Sequence, residues 1–129
     1  MIAADTSSFV SFFRGDEGED TRLIAQALED RALCLPPPVL TELLSDRKAS
    51  PSLEKWLLEL PLLELTSGFW LRAGALRRKL IIRGLRARLG DVLIAQLCID
   101  NRVRLITRDA DFKSYVKLSK LRLAASPAK

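Results

Sequence analysis

Four short apolar runs, each separated from the next by segments of helical spacing, constrain this chain more than any other feature. Residues 2–4, 33–35, 62–65 and 104–107 are too brief for buried helices, and their bounding turn and capping residues suit strands. Between them, Leu23, Ile24, Ala27 and Leu28 fall on one helical face, as do Val39, Leu40, Leu43 and Leu44. Strands that alternate with helices imply right-handed crossovers, and so a parallel sheet covered on both faces. The expected fold is therefore a three-layer α/β/α sandwich with a central parallel sheet of four or five strands, the fifth at 121–124. The 129 residues fit one domain, expected over 1–129. Helices are expected over 6–13, 21–31, 38–44, 53–60, 67–83 and 91–101, with a last short one from about residue 111.

Composition narrows the chemistry. There is no histidine, which removes Ser-His-Asp and Cys-His triads and histidine acid–base catalysis. Two cysteines cannot make a four-thiolate zinc site. Carboxylates remain, and they favour hard cations such as Mg²⁺ or Mn²⁺. Cys34 and Cys98 lie in apolar stretches and are expected to be reduced core thiols. The longest uncharged run, 32–41, holds three prolines and cannot span a membrane. Asp5 stands where a leader would be basic, so a cytoplasmic protein is expected.

The formal net charge is +5, and it is unevenly placed. No acid occurs over 65–90, where Arg72, Arg77, Arg78, Lys79, Arg83, Arg86 and Arg88 cluster. Such a one-signed segment suits a polyanion, and equally a solvated helix face. Trp70, at its start, suits either base stacking or core packing. The dense apolar block of Leu53, Trp56, Leu57, Leu58, Leu60, Leu62 and Leu63 suits packing on the sheet, with any excess available to an interface.

Ligands of open parallel sheets bind beyond the carboxyl ends of the strands. Asp5 follows the first strand, and Asp109 and Asp111 follow the 104–107 strand. Glu42 lies in the helix after the second strand, and Asp91 opens the helix before the 104–107 strand. Asp91 is the most telling, because 91–99 is apolar nearly all round and its carboxylate shares a face with Ala95 and Cys98. Taken singly, each acid has a plain structural role: a cap for Asp5, a helix-start charge for Asp91, a turn for Asp109, a solvated face for Glu42. Taken together they conflict. Two carboxylates about 4 Å apart repel by roughly 4 kcal/mol at an effective dielectric near 20. A divalent cation resolves that repulsion.

Four motifs in this order resemble the PIN-domain ribonucleases, and most closely VapC-like toxins of type II toxin–antitoxin pairs. They are Ile2-Ala3-Ala4-Asp5-Thr6-Ser7, Val39-Leu40-Thr41-Glu42-Leu43-Leu44, Gly90-Asp91-Val92-Leu93-Ile94-Ala95 and Leu105-Ile106-Thr107-Arg108-Asp109-Ala110-Asp111-Phe112. The resemblance implies a metal-dependent endoribonuclease using Mg²⁺ or Mn²⁺. It implies catalytic acids at Asp5, Glu42, Asp91 and Asp109, with Asp111 the alternative fourth acid. Asp5, Asp91 and Asp109 would be the metal ligands, and Thr6 and Thr107 would support them. It further implies an RNA substrate, a homodimer and a cognate antitoxin protein, and by charge the 72–88 bases would hold the RNA backbone. Ser7 departs from the asparagine many members carry there, although serine can still bond a neighbouring acid. The alternative function is a catalytically silent PIN-like domain that binds RNA or protein. A phosphoacceptor receiver domain fits less well, because Asp5 has no acidic neighbour.

Overall fold

The computed structural model describes residues 1–124, so the last five residues of the expected 1–129 domain, 125–129, lie outside the described residues. The elements in order are β1 (Ile2–Ala4), α1 (Thr6–Arg14), α2 (Glu19–Glu29), β2 (Leu33–Cys34), α3 (Pro37–Leu44), α4 (Pro51–Leu58), α5 (Phe69–Ile82), α6 (Leu89–Asp100), β3 (Arg104–Ile106) and α7 (Phe112–Leu118). The sheet is parallel with order β2-β1-β3. In register, Ala3 faces Cys34 on one side and Leu105 on the other. Successive strand residues point to opposite faces, and Ala3, Ala4, Leu105 and Ile106 are all fully buried. Both faces of the sheet are therefore covered by helices, as a parallel sheet requires.

The sheet has three strands rather than the four or five expected. The outer two positions exist only as single parallel bridges, Leu35 to Leu62 and Leu105 to Leu123. Proline explains the first. The Leu35 amide donates to the Pro61 carbonyl and the Leu63 amide to the Leu35 carbonyl. Beyond Leu35 stand Pro36, Pro37 and Pro38, which offer no amide to extend the ladder. At the other edge, the Leu105 amide reaches the Arg122 carbonyl and the Ala124 amide returns to Leu105.

Helix starts follow local capping chemistry. The Asp5 carboxylate accepts from the Ser8 amide at the start of α1, and the Ser50 hydroxyl from the Leu53 amide at α4, which begins at Pro51 rather than Leu53. Gly68, with φ of 81°, turns the chain into α5 two residues later than expected. Helix α6 begins at Leu89, placing Asp91 in its first turn.

The core joins Phe9, Ile24, Leu35, Leu57, Leu80, Ile94, Leu97, Leu105, Phe112 and Tyr115. Helix α6 is buried nearly all round, from Val92 through Cys98 except half-buried Leu93. In the apolar block, Leu57 and Leu63 are buried and Trp56 packs against Phe9, Phe12 and Phe13 of α1, while Leu58 and Leu62 remain exposed. Both cysteines are buried and free. No helix among the described residues is long and apolar enough to cross a membrane.

Candidate active site

Asp5 sits directly after the central strand and is only 3% exposed. Its Oδ1 accepts from the Ser8 amide at 3.0 Å and the Ser7 hydroxyl at 2.9 Å, and its Oδ2 from the Thr107 hydroxyl at 2.5 Å. Thr107 follows β3, the neighbouring strand, so parallel register alone brings it beside Asp5. The same threonine oxygen accepts from the Asp109 amide at 3.0 Å, and Asp109 Oδ1 from the Asp111 amide at 2.9 Å. A continuous chain of hydrogen bonds thus runs from Asp5 through Thr107 to the 109–111 turn. On the other side, the Thr6 hydroxyl donates to Glu42 Oε1 at 2.8 Å. Gly90 lies against Glu42, whose carboxylate stands 3.6 to 3.8 Å from where a Gly90 Cβ would be.

Asp91 closes the group. Its carboxyl is pushed up to about 6, first by burial and then by the charges of Asp109, Asp5 and Glu42, against which Arg88 works. Asp109, Asp5 and Glu42, from three other parts of the chain, are thus all within electrostatic reach of Asp91. Burial also raises the Asp5 carboxyl above its usual range, and the donors Thr107, Ser8 and Ser7 offset only part of this. Beneath them, burial and the charges of Asp91, Asp111 and Asp109 push the Tyr115 phenol up to about 12, and its hydroxyl donates to the Arg86 carbonyl.

Among the described residues, two buried side-chain polar atoms lack a hydrogen-bond partner, and one is Asp91 Oδ2. An orphaned oxygen on a carboxylate that feels three further acids is unfavourable for the chain alone and suits a cation. No group of three or more acid or thiol side chains among the described residues is already arranged to hold an ion. A hydrated Mg²⁺ needs only one or two protein carboxylates and keeps several waters. Asp111 sits at the rim, 3.9 Å from Arg86.

The basic segment divides. Arg72 is committed to the fold: its Nε and Nη2 bond Asp100, Nη1 the Ser67 carbonyl, and Nη2 also Thr66. Arg77 donates to the Ala87 carbonyl and Lys79 to the Leu118 carbonyl. Arg78 and Arg83 are exposed, and Arg86 and Arg88 stand beside the acids. Trp70 is 66% exposed, which removes the core-packing alternative. The buried face of α5 is Phe69, Ala73, Leu76 and Leu80, and Trp70 lies about 100° from Phe69 on the wheel. Glu42 forms a ridge between two cavities. One, about 430 Å³, is lined by Trp70, Leu89 and Gly90, and the other, about 680 Å³, by Thr6, Phe13, Arg14 and Lys48. Sequence reasoning missed Tyr115 and the partner of Arg108, which is Asp20 of α2. Nothing local in the sequence announces either pairing.

The sequence signature of the PIN domain family matches residues 2–118. The chain belongs to the PIN domain family. This PIN domain is 32% identical over 134 residues to the VapC ribonuclease Mb1587 of Mycobacterium bovis and to the ribonuclease VapC11 of Mycobacterium tuberculosis, covering 97% of the chain and 98% of each relative. Its fold is similar to a chain in the crystal structure of VapBC2 from Rickettsia felis bound to a DNA fragment from their promoter. The TM-score is 0.71 at 22% identity, over 95% of this chain and 97% of that one. A chain in DNA-bound VapBC from Salmonella typhimurium gives a TM-score of 0.69 at 16% identity, with the same coverage.

Proposed function

We propose that this PIN domain is the endoribonuclease toxin of a toxin–antitoxin pair. It hydrolyses RNA phosphodiester bonds with Mg²⁺ or Mn²⁺ at Asp5, Glu42, Asp91 and Asp109. The observation that carries the reading is Asp91 Oδ2, buried and unpartnered beside three further carboxylates. Near full-length similarity to named VapC ribonucleases supports the same conclusion.

Asp5 and Asp91 would hold the ion directly, with Asp109 binding it or its waters. When bound, the ion lowers the pKa of a water and neutralises charge developing on the phosphodiester. The protein's own work is positional. Thr107 and the Ser8 amide fix the Asp5 carboxylate, and Thr107 also orients the 109–111 turn. Glu42, steadied by Thr6, faces the site from α3 as an acceptor for a proton from water. Arg86 and Arg88 draw the phosphate backbone to the rim, with Arg78 and Arg83 extending the basic track. Trp70 offers an exposed ring for a base in the cavity beside Glu42. The partners proposed are RNA, a cognate antitoxin and a second copy of the chain, all in the cytoplasm.

The test is RNA cleavage in Mg²⁺ or Mn²⁺ by wild type and Asp5→Ala. Cleavage by wild type and none by a folded, RNA-binding Asp5→Ala supports the reading. Wild type that cuts no RNA with either ion leaves the catalytically silent RNA- or protein-binding domain in its place.

A further inference from the structure

Arg108 lies between two residues of the acid site, Thr107 and Asp109, yet its guanidinium turns away to α2. Its Nε donates to Asp20 Oδ2 at 2.7 Å and its Nη2 to Asp20 Oδ1 at 2.9 Å, a bidentate fork. Asp20 is buried in the first turn of α2. Burial works against its charge, but the fork, with smaller help from Ser8 and the Thr21 amide, holds the carboxyl below its usual range. The receptor is closely built. A Cβ on Gly18 would fall 2.7 Å from Asp20 Oδ1 and 3.1 Å from Arg108 Nη2, so a side chain there would displace the pair. The Ser8 hydroxyl is buried near both Asp5 and Asp20 without a well-aligned bond to either.

The guanidinium is close enough to feel the charge of Asp5. It is permanently charged and shaped to pair with carboxylates. With Asp20 removed, the acids left within its electrostatic reach are Asp16, in the loop before α2, and Asp5 of the acid site. We propose that Asp20 is a positioning residue of the acid site: by occupying both donor edges of Arg108 it keeps the guanidinium out of the carboxylate cluster, leaving those charges for a divalent cation. The inference rests on the metal-site reading above.

The test is Mn²⁺ affinity of the full chain, by titration calorimetry or by the paramagnetic signal of free Mn²⁺. It compares wild type, Asp20→Ala, Arg108→Ala and the double variant, each checked for folding by circular dichroism. Asp20→Ala should weaken Mn²⁺ binding about tenfold, the scale of lost outer-shell support. Arg108→Ala should stay within about threefold of wild type, and the double variant should return to that level, because the intruding cation is gone. A purely structural role for the pair would leave the double variant no better than Asp20→Ala. Should Asp20→Ala not fold, Asp20→Asn keeps the volume and one acceptor, and the same ordering is expected with a loss of about threefold. Asp20 variants that bind as wild type does, or a double variant without recovery, overturn the proposal alone. Wild type that binds no Mn²⁺ overturns the metal reading and this inference with it.

Discussion

The Thr107 hydroxyl donates to Asp5 Oδ2 at 2.5 Å, joining residues 102 positions apart at the ends of adjacent parallel strands. Asp5 is buried, and this donor is the largest influence favouring its charged form. Thr107→Val keeps the shape and removes the bond. The variant should lose about 1–2 kcal/mol of stability, read from denaturant unfolding. It should also cleave RNA roughly tenfold or more slowly, since a poorly held carboxylate is a poorer metal ligand.

Asp91 sets a pH dependence with a definite sign. Its folded pKa, about 6, lies above the ordinary carboxylate value of 3.8. The native state therefore binds more protons than the unfolded state between those values, and metal-free stability falls as pH rises from about 4 to 6. The raised Asp5 carboxyl acts in the same direction. After allowance for solvent screening, the Asp91 share is roughly 1–2 kcal/mol. Thermal unfolding of Asp91→Asn at pH 7.5 without metal should show a higher Tm than wild type, with no cleavage. A lower Tm would contradict the assignment.

Mg²⁺ or Mn²⁺ should reverse this penalty. Binding to the folded state alone raises Tm by mass action, so millimolar metal should stabilise wild type at pH 7.5 and leave Asp91→Asn nearly unchanged. A calorimetric scan of wild type with no shift counts against the acid site.

The two ends of the basic segment should behave differently. Arg72→Ala removes a pair to Asp100 that ties α5 to α6, and should lower Tm slightly while leaving RNA affinity nearly intact. Arg88→Ala removes a charge that favours ionised Asp91, so metal-free Tm at neutral pH should fall slightly. The substitution should weaken RNA binding across sequences and reduce the salt dependence by about one counterion. Binding isotherms at several salt concentrations distinguish the two.

What the sequence revealed depended on range. Asp91 stood out because it is the lone acid entering an apolar helix, and α6 is indeed buried around it. Asp5 and Thr107 were legible because each ends an apolar run, and strand pairing does the rest. The outer strands at 62–65 and 121–124 exist only as single bridges; at 62–65 apolar character survives where proline prevents a ladder. Arg72 looked like a nucleic-acid contact because its partner Asp100 is 28 residues away. The Asp20–Arg108 pair, 88 residues apart, was hidden for the same reason. Trp70 was ambiguous between stacking and core packing, since one step around α5 separates the buried face from solvent.

An anomalous difference map from crystals soaked in Mn²⁺ tests the central claim most directly. The account predicts a peak about 2 Å from carboxylate oxygens of Asp5 and Asp91, with water completing the shell. A well-soaked crystal with no peak there, or with its manganese bound away from these two acids, would contradict it.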